Sequence, residues 1–312
     1  MTGSRRVAVL FGGSSPERTV SLESGQAVAA ALTDRGHSAV LIDPSTQSVA
    51  EVDWDQFDSA FIALHGTYGE DGQVQQQLDS LRVPYTGSSA EASAVTFDKA
   101  RAKDRFRRDK LTTPKSTLVS SSNDTRTLLE AINKTELPAV VKPTRQGSSV
   151  GVTIVRRADE IEPALDHAFQ FGSEVLIEDF IAGEEWTVGV INREPLAPIR
   201  IDSARAFYDY EAKYADDRTQ FHVADSSDDV VFIESLQDVA VQAAKSLSTS
   251  GIARVDLMVD KQRRPWLLEV NTIPGFTSHS LIPIAAEAAG ISLGELFESV
   301  LPPVPSSQRL AG

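Results

Sequence analysis

The sequence predicts an α/β chain of three units: a parallel α/β unit over residues 1–96, then two α+β units over 97–182 and 183–312. Three observations carry this. Up to about Val95, short apolar runs alternate with helical stretches, the pattern of parallel strands joined through helices. Between 137 and 181 come a strand, a glycine- and serine-rich loop, a second strand, a helix and a third strand. From about Gly183 the strands come in adjacent pairs, as in an antiparallel sheet. The chain has 312 residues, 41% of them hydrophobic, enough for two or three packed cores.

Each element has its reason. Val7–Phe11 is an apolar strand, and "GGSSPER" is the glycine-rich loop behind it. Ser21–Arg35 mixes small apolar and polar residues as a helix that Gly36 stops. "SAVLID" and "SAFIALHG" are buried strands, "EDGQVQQQLDSL" is a helix and "VPYTG" a strand end. "FDKARAKDRFRRDK" (97–110) is a helix with seven basic and three acidic residues, read as a solvated basic face except at Lys99. "NDTRTLLEAINK" is a capped helix, "LPAVVKPTRQGSSVGVTIV" gives strand, loop and strand, and a helix and the strand "EVLIEDFI" complete the second unit.

In the third unit "EWTVGVI" and "LAPIRI" are antiparallel neighbours. "AFYDYEAKYADDRTQFH" has no period, and connections of that length are usually lids or disordered. Its three tyrosines in seven residues argue against disorder. "ESLQDVAVQAAKSLS" is a helix, "ARVDLMVD" and "PWLLEV" are strands joined by "KQRR", and terminal helices begin near Ser280 and Ser292.

Composition narrows the function. A net charge of -14 gives no basic field to attract nucleic acid or an anionic membrane. The absence of cysteine excludes disulfides, zinc–thiolate sites, iron–sulfur clusters and a cysteine nucleophile. The apolar run after Arg5 and Arg6 is shorter than a signal-peptide core. No run reaches the roughly 18–20 apolar residues that span a bilayer. The expectation is a cytoplasmic protein without nucleic-acid or membrane partners.

The chemistry concentrates in "WLLEVNTIPG" (266–275). Glu269 and Asn271, two apart on a strand, share one face, and a hairpin can bring Asp256 opposite them. Three oxygen ligands without His or Cys suit a hard cation, Mg2+ or Mn2+. The same residues also fit a polar strand end making turn hydrogen bonds. In "KPTRQGSSVG" (142–151) a lysine leads into a loop whose backbone N–H groups can cradle phosphate. It is not GxxxxGK[ST], and "GGSSPER" is not GxGxxG, so each loop alone also reads as an ordinary turn.

Taken in order, "AVLFGGSSPERTVSLESG", "ALHGTYGEDG", "VVKPTRQGSSVG", "FYDYEAKY", "ARVDLMVD" and "LLEVNTIPGFTSHSL" resemble the D-alanine–D-alanine ligases of the ATP-grasp superfamily. The resemblance runs from about residue 6 to 300. It implies a three-domain ATP-grasp fold in which two α+β domains clasp ATP beside an N-terminal α/β substrate domain. It implies that ATP phosphorylates the carboxylate of one D-alanine and that the amine of a second attacks the acyl phosphate. The dipeptide would serve peptidoglycan precursor synthesis. ATP, two ions of Mg2+ or Mn2+ and a homodimer come with that resemblance.

It also implies roles for single residues. Asp256, Glu269 and Asn271 hold the metal. Lys99, Lys142 and Lys213 contact the ATP phosphates, Glu178 and Ile181 the adenine, and Glu185 the ribose. Glu17 pairs the ammonium of the first D-alanine, or is a helix N-terminal charge. His65 lines the first-substrate pocket, or is a hydrogen-bonded histidine at a strand end. Arg254 and the Gly275 N–H form the oxyanion site, and Ser280 holds the second carboxylate. Ser148 and Tyr214 join Glu17 in a network that ties a lid to the first-substrate site.

Two positions depart from the family pattern: Gln146, where an acidic residue is frequent, and Asp179, where some members carry lysine. Other acceptors, D-serine, D-lactate or an internal nucleophile, keep the same fold and ATP chemistry. Tyr214 speaks against D-lactate. A non-catalytic nucleotide-binding regulator would lack one of Asp256, Glu269 or Asn271, and all three are present.

Overall fold

The computed structural model describes residues 3–202 and 219–303. In the first unit β1 (Arg6–Leu10) lies between β2 (Ser38–Ile42) and β3 (Ser59–Ile62), and both neighbours run parallel to it. A central parallel strand is covered on both faces, which is why Val7–Leu10 is apolar without alternation and entirely buried. Between β1 and β2 runs α1 (Arg18–Asp34), which starts three residues before the predicted Ser21. Its serines face inward. Ser21 Oγ accepts the Gly12 N–H at 2.9 Å and donates to the Ala63 carbonyl at 2.6 Å. They clamp the loops at the ends of β1 and β3.

After α2 (Gln73–Leu81) the chain forms α3 (Ala90–Phe97) and α4 (Lys99–Arg108), so the helix predicted over 97–110 is broken at its start. Asp98 caps α4, accepting the Ala100 and Arg101 N–H groups at 3.1 Å each. A cap of this kind contributes on the order of 1 kcal/mol. The sequence hides α3 because its buried face includes Ser93 and Thr96 as well as Ala92 and Val95. The basic face of α4 also needs correction, since Lys103 has no solvent exposure.

The second unit is an antiparallel sheet in the order β4 (Ser116–Ser120), β7 (Glu174–Asp179), β5 (Ala139–Pro143), β6 (Thr153–Val155). Its apolar face, including Val141 and Val175, packs on Ile161, Ala164, Leu165 and Ala168 of α6 (Ile161–Phe169), while α5 (Thr125–Asn133) follows β4 in the chain. The polar "STLVS" of β4 carried no strand signal in the sequence.

The third unit is a larger antiparallel sheet of β8 (Gly183–Ile191), β9 (Glu194–Pro195), β10 (Ile199–Asp202), β11 (Gln220–Val223), β12 (Ile252–Asp260) and β13 (Pro265–Asn271). α7 (Val230–Ser246) buries Leu236, Ala240, Ala243 and Ala244 against it. β8 and β10 pair antiparallel as predicted. β11 lies at the end of the segment read as one long connection and pairs with β10, Phe221 opposite Ile201. Lys213, Tyr214 and most of the proposed lid lie outside the described residues.

The last helices, α8 (Leu281–Ala288) and α9 (Leu293–Ser299), return to the first unit. There Phe61, Phe276 and Phe297 meet edge to face with ring centroids 5.4–5.7 Å apart. Each such pair adds about 0.5–1.5 kcal/mol beyond burial. The turn after β13 is thereby held between the first and third units.

Candidate active site

β12 and β13 set the geometry. Asp256 stands opposite Glu269 and Arg254 opposite Asn271 in the antiparallel register. Arg254 grips Asp256 with two hydrogen bonds of 2.9 and 2.8 Å, and Thr187 Oγ1 donates to Asp256 Oδ1 at 2.7 Å. Lys99 Nζ lies 3.0 Å from Glu269 Oε2 and donates to the Gln146 carbonyl at 2.6 Å. Burial alone would lower the Lys99 pKa. Glu269 first, then Glu178 and Glu70, outweigh it and hold the ammonium above its ordinary value. Asn271 Oδ1 accepts the Ile273 N–H at 2.8 Å, the turn bond that the polar-strand-end reading expected. An amide oxygen has a second lone pair, so this bond leaves it able to ligate.

Two cavities meet here. The larger, about 500 Å³, is lined by Lys142, Glu178, Ile181, Glu185 and Asp256. The smaller, about 50 Å³, is lined by Glu17, His65, Ser148, Arg254, Asn271 and Gly275. Lys99, Gln146 and Glu269 line both. Among the described residues, Lys142, Glu178, Ile181 and Glu185, assigned to the nucleotide, line the larger space, and Glu17, His65, Arg254 and Gly275, assigned to the amino acid, line the smaller. Lys99 and Glu269 line both, and Ser280 lines neither.

In the larger cavity the Glu178 carboxylate sits between Lys142 at 2.9 Å and Lys103 at 3.3 Å. Burial pushes its pKa up, but Lys103 and Lys142 together pull it below the ordinary value. The sequence reading missed Lys103. The available signal was its spacing, since a residue four beyond Lys99 shares that helix face.

In the smaller cavity Glu17 occupies the cap position of α1 but makes no capping hydrogen bond. Its Oε1 accepts the hydroxyl hydrogen of Ser148 instead. The loop approaches closely. A Cβ on Gly147 would lie 2.9 Å from Glu17 Oε2, and one on Gly66 would lie 2.7 Å from it. Ser148 and Ser149 have φ of 50° and 59°, a left-handed backbone unusual for residues with side chains.

His65 is tied on both sides. Nδ1 is 2.8 Å from the Ile273 carbonyl, and Nε2 is 2.9 Å from Ser24 Oγ, which accepts the Phe276 N–H at 3.2 Å. The carbonyl requires the hydrogen on Nδ1. His65 therefore lines the cavity and also holds the turn that carries Gly275. Glu70, which the sequence reading did not single out, lies 3.7 Å from His65 Nδ1, and burial raises its pKa. Ser280 precedes α8 without a capping bond. Its Oγ lies 2.9 Å from Thr277 Oγ1, beside Gly275.

Gln146 Nε2 donates to the Phe171 carbonyl at 3.0 Å, and Asp179 lines the larger cavity. Among the described residues no three or more His, Cys, Asp or Glu side chains gather as a metal site, and no helix is long and apolar enough to cross a membrane.

A cleft between two α+β units, beside a parallel α/β unit and lined by lysines and carboxylates, is an ATP-grasp fold. The family described as D-ala D-ala ligase N-terminus matches residues 44–88, and that described as D-ala D-ala ligase C-terminus matches 111–302. A D-alanine–D-alanine ligase of Pseudomonas putida (strain GB-1) is 42% identical over 95% of this chain and 92% of its own length. One from Alkalilimnicola ehrlichii is 42% identical over 98% and 96%. The crystal structure of D-alanine–D-alanine ligase from Bacillus anthracis complexed with ATP superposes with a TM-score of 0.83 at 33% identity, over 95% and 96% of the two chains. The VanG D-Ala:D-Ser ligase from Enterococcus faecalis gives 0.83 at 27%, over 96% and 98%. The chain belongs to the D-alanine–D-alanine ligase family.

Proposed function

We propose that this protein joins two D-alanines into D-alanyl-D-alanine, converting ATP to ADP and phosphate, for peptidoglycan precursors. The observation that carries the reading is the junction of the two cavities at Lys99, Gln146 and Glu269. A nucleotide in the larger space would point its terminal phosphate at an amino acid in the smaller.

In this reading Glu178, Ile181 and Glu185 surround the adenosine, and Lys99, Lys142 and the lid residue Lys213 contact phosphates. Glu17 pairs the ammonium of the first D-alanine. Arg254 orients its carboxylate, whose oxygen attacks the γ-phosphorus as the bond to ADP breaks. Ser280, at the start of α8, holds the second carboxylate, where the helix dipole favours an anion. The neutral amine of the second D-alanine attacks the acyl carbon. Arg254 and the Gly275 N–H meet the charge that develops on oxygen, and such donors typically contribute about 3–4 kcal/mol each. Phosphate then leaves. Ser148 and Tyr214 connect Glu17 to the lid, which keeps water from the acyl phosphate.

The facing carboxylates of Asp256 and Glu269, with the Asn271 amide, fit a hard divalent cation. Those three residues would hold two ions of Mg2+ or Mn2+, which when bound offset the charge of the phosphates.

The same reading divides the chain at 1–96, 97–182 and 183–312, assigns it to the cytoplasm, where ATP is supplied, and makes it a homodimer. Sedimentation equilibrium reads the last point. The activity is tested by phosphate release from ATP with D-alanine, L-alanine, D-serine and D-lactate compared side by side. D-alanine should be fastest. No release above background with D-alanine sinks the reading, and faster release when D-serine joins D-alanine reassigns the acceptor.

A further inference from the structure

Lys103 is a buried charge that the proposed chemistry leaves unused. It stands four residues after Lys99 on α4, with no solvent exposure, and it does not line the larger cavity. Its Nζ donates to Thr113 Oγ1 at 2.7 Å, and Thr113 donates to the Leu267 carbonyl of β13 at 2.8 Å. Glu178 of β7 lies 3.3 Å away, and Lys142 and Arg107 are like charges acting on the same ammonium. Lys103 thus contacts Glu178 of the second unit directly and is linked to the third through Thr113.

The charge arrangement is specific. Glu178 Oε2 faces Lys142 at 2.9 Å, while Oε1 accepts no hydrogen bond and faces Lys103. One carboxylate is shared by two ammonium groups, which leaves a net positive charge. Of the two lysines, Lys142 reaches the cavity. Burial pushes the Lys103 ammonium down to about 8, so it stays mostly charged at neutral pH. Without Lys103 the whole charge of Glu178 would fall on Lys142, and the pair would present no net charge to a polyanion.

We propose that Lys103 is a positioning residue for the nucleotide phosphates: by sharing Glu178 it leaves Lys142 with net positive charge to offer them. The proposal rests on the reading that the larger cavity takes ATP. A buried lysine that only filled space could be replaced by an apolar side chain of similar length without loss of binding.

The experiment measures ATP and adenosine binding by calorimetry in wild type and Lys103→Met, with the KM for D-alanine alongside. Failure of wild type to bind ATP overturns the ATP reading itself and needs no variant. Given wild-type binding, Lys103→Met should raise the Kd for ATP by about ten-fold or more. The Kd for adenosine, which lacks phosphates, and the KM for D-alanine should stay within about two-fold. An unchanged ATP Kd, or equal loss for adenosine and ATP, overturns the proposal. Should Lys103→Met not fold, Glu178→Gln is compared with Lys103→Met/Glu178→Gln, in which no carboxylate is stranded. Equal ATP affinity in those two variants supports action through Glu178, and a difference beyond about five-fold overturns it.

Discussion

Asp256 on β12 stands directly opposite Glu269 on β13, and each carboxylate holds its own cation, Arg254 at 2.8 Å and Lys99 at 3.0 Å. Two carboxylates placed this close would repel each other in a partly dry site. The two basic side chains offset that repulsion, and both line the smaller cavity. With Arg254 and Lys99 the carboxylate pair is already neutral, so a bound divalent cation would give the site net positive charge to meet the phosphates of ATP.

Turnover is therefore expected to require Mg2+ or Mn2+. Glu269→Gln keeps the shape and removes a charge, and it should cut turnover by about ten- to a hundred-fold with a much smaller effect on Tm. Undiminished turnover in excess EDTA, or normal turnover in the variant, would falsify the metal assignment.

Glu17 presents its carboxylate to the smaller cavity, steadied by Ser148. A charge-assisted hydrogen bond is worth about 1.5–3 kcal/mol, so Glu17→Ala should raise the KM for the first D-alanine by roughly ten-fold or more. The ATP Kd should change little. Collapse of ATP affinity in this variant would mean that Glu17 serves the nucleotide or the fold.

Gly275 has no room for a side chain. A Cβ there would come within 2.6 Å of Ser280 Oγ, which is already engaged with Thr277 at 2.9 Å. Gly275→Ala should displace the Ser280 hydroxyl, raise the KM for the second D-alanine and lower kcat, while ATP binding holds. Unaltered D-alanine kinetics would remove Gly275 and Ser280 from the acceptor site.

The loop that carries Glu17 is pinned by Asp43. Arg18 lies 2.7 Å from Asp43 Oδ2, and the N–H groups of Gly13 and Ser45 donate to Oδ1 at 3.0 and 2.9 Å. Burial acts to raise the Asp43 pKa, but Arg18 first, then Ser45 and Gly13, hold it well below the usual carboxylate range. A folded pKa below the unfolded one, about 3.9, means stability that is present above that value. It is lost as pH falls from there toward the folded value. Asp43→Asn should lower Tm at pH 7, and the gap to wild type should narrow below about pH 4. A gap that stays constant down to pH 3 would show that the charge of Asp43 is not what pins the loop.

The sequence by itself determined what depends on neighbours along the chain. Apolar runs fixed β1, β3 and β5, and the two-residue strand period put Glu269 and Asn271 on one face. The hairpin at "KQRR" pairs Val259 with Pro265, a register that, continued, would set Asp256 against Leu268. An irregularity between Asp256 and Leu257 shifts it by one residue and brings Asp256 opposite Glu269, which the turn alone did not determine. Strand spacing made the Glu269–Asn271 face legible, and the ordered motifs of the resemblance named the other candidate residues.

Tertiary structure alone decided the rest. α4 carries charge all round, so its pattern reads as solvated. Lys103 is buried because Glu178, on a strand of the second unit, comes to lie beside it. Nothing near His65 in the chain shows that it grips Ile273 and, through Ser24, Phe276, since those partners arrive only when α8 and α9 pack back on the first unit. β11 became a strand because β10 offered it an edge. In each case the deciding energy is a charge or a hydrogen-bonding group losing water and finding a partner. Which partner it finds is fixed by the packing of segments apart in the chain, a relation that local sequence patterns do not encode.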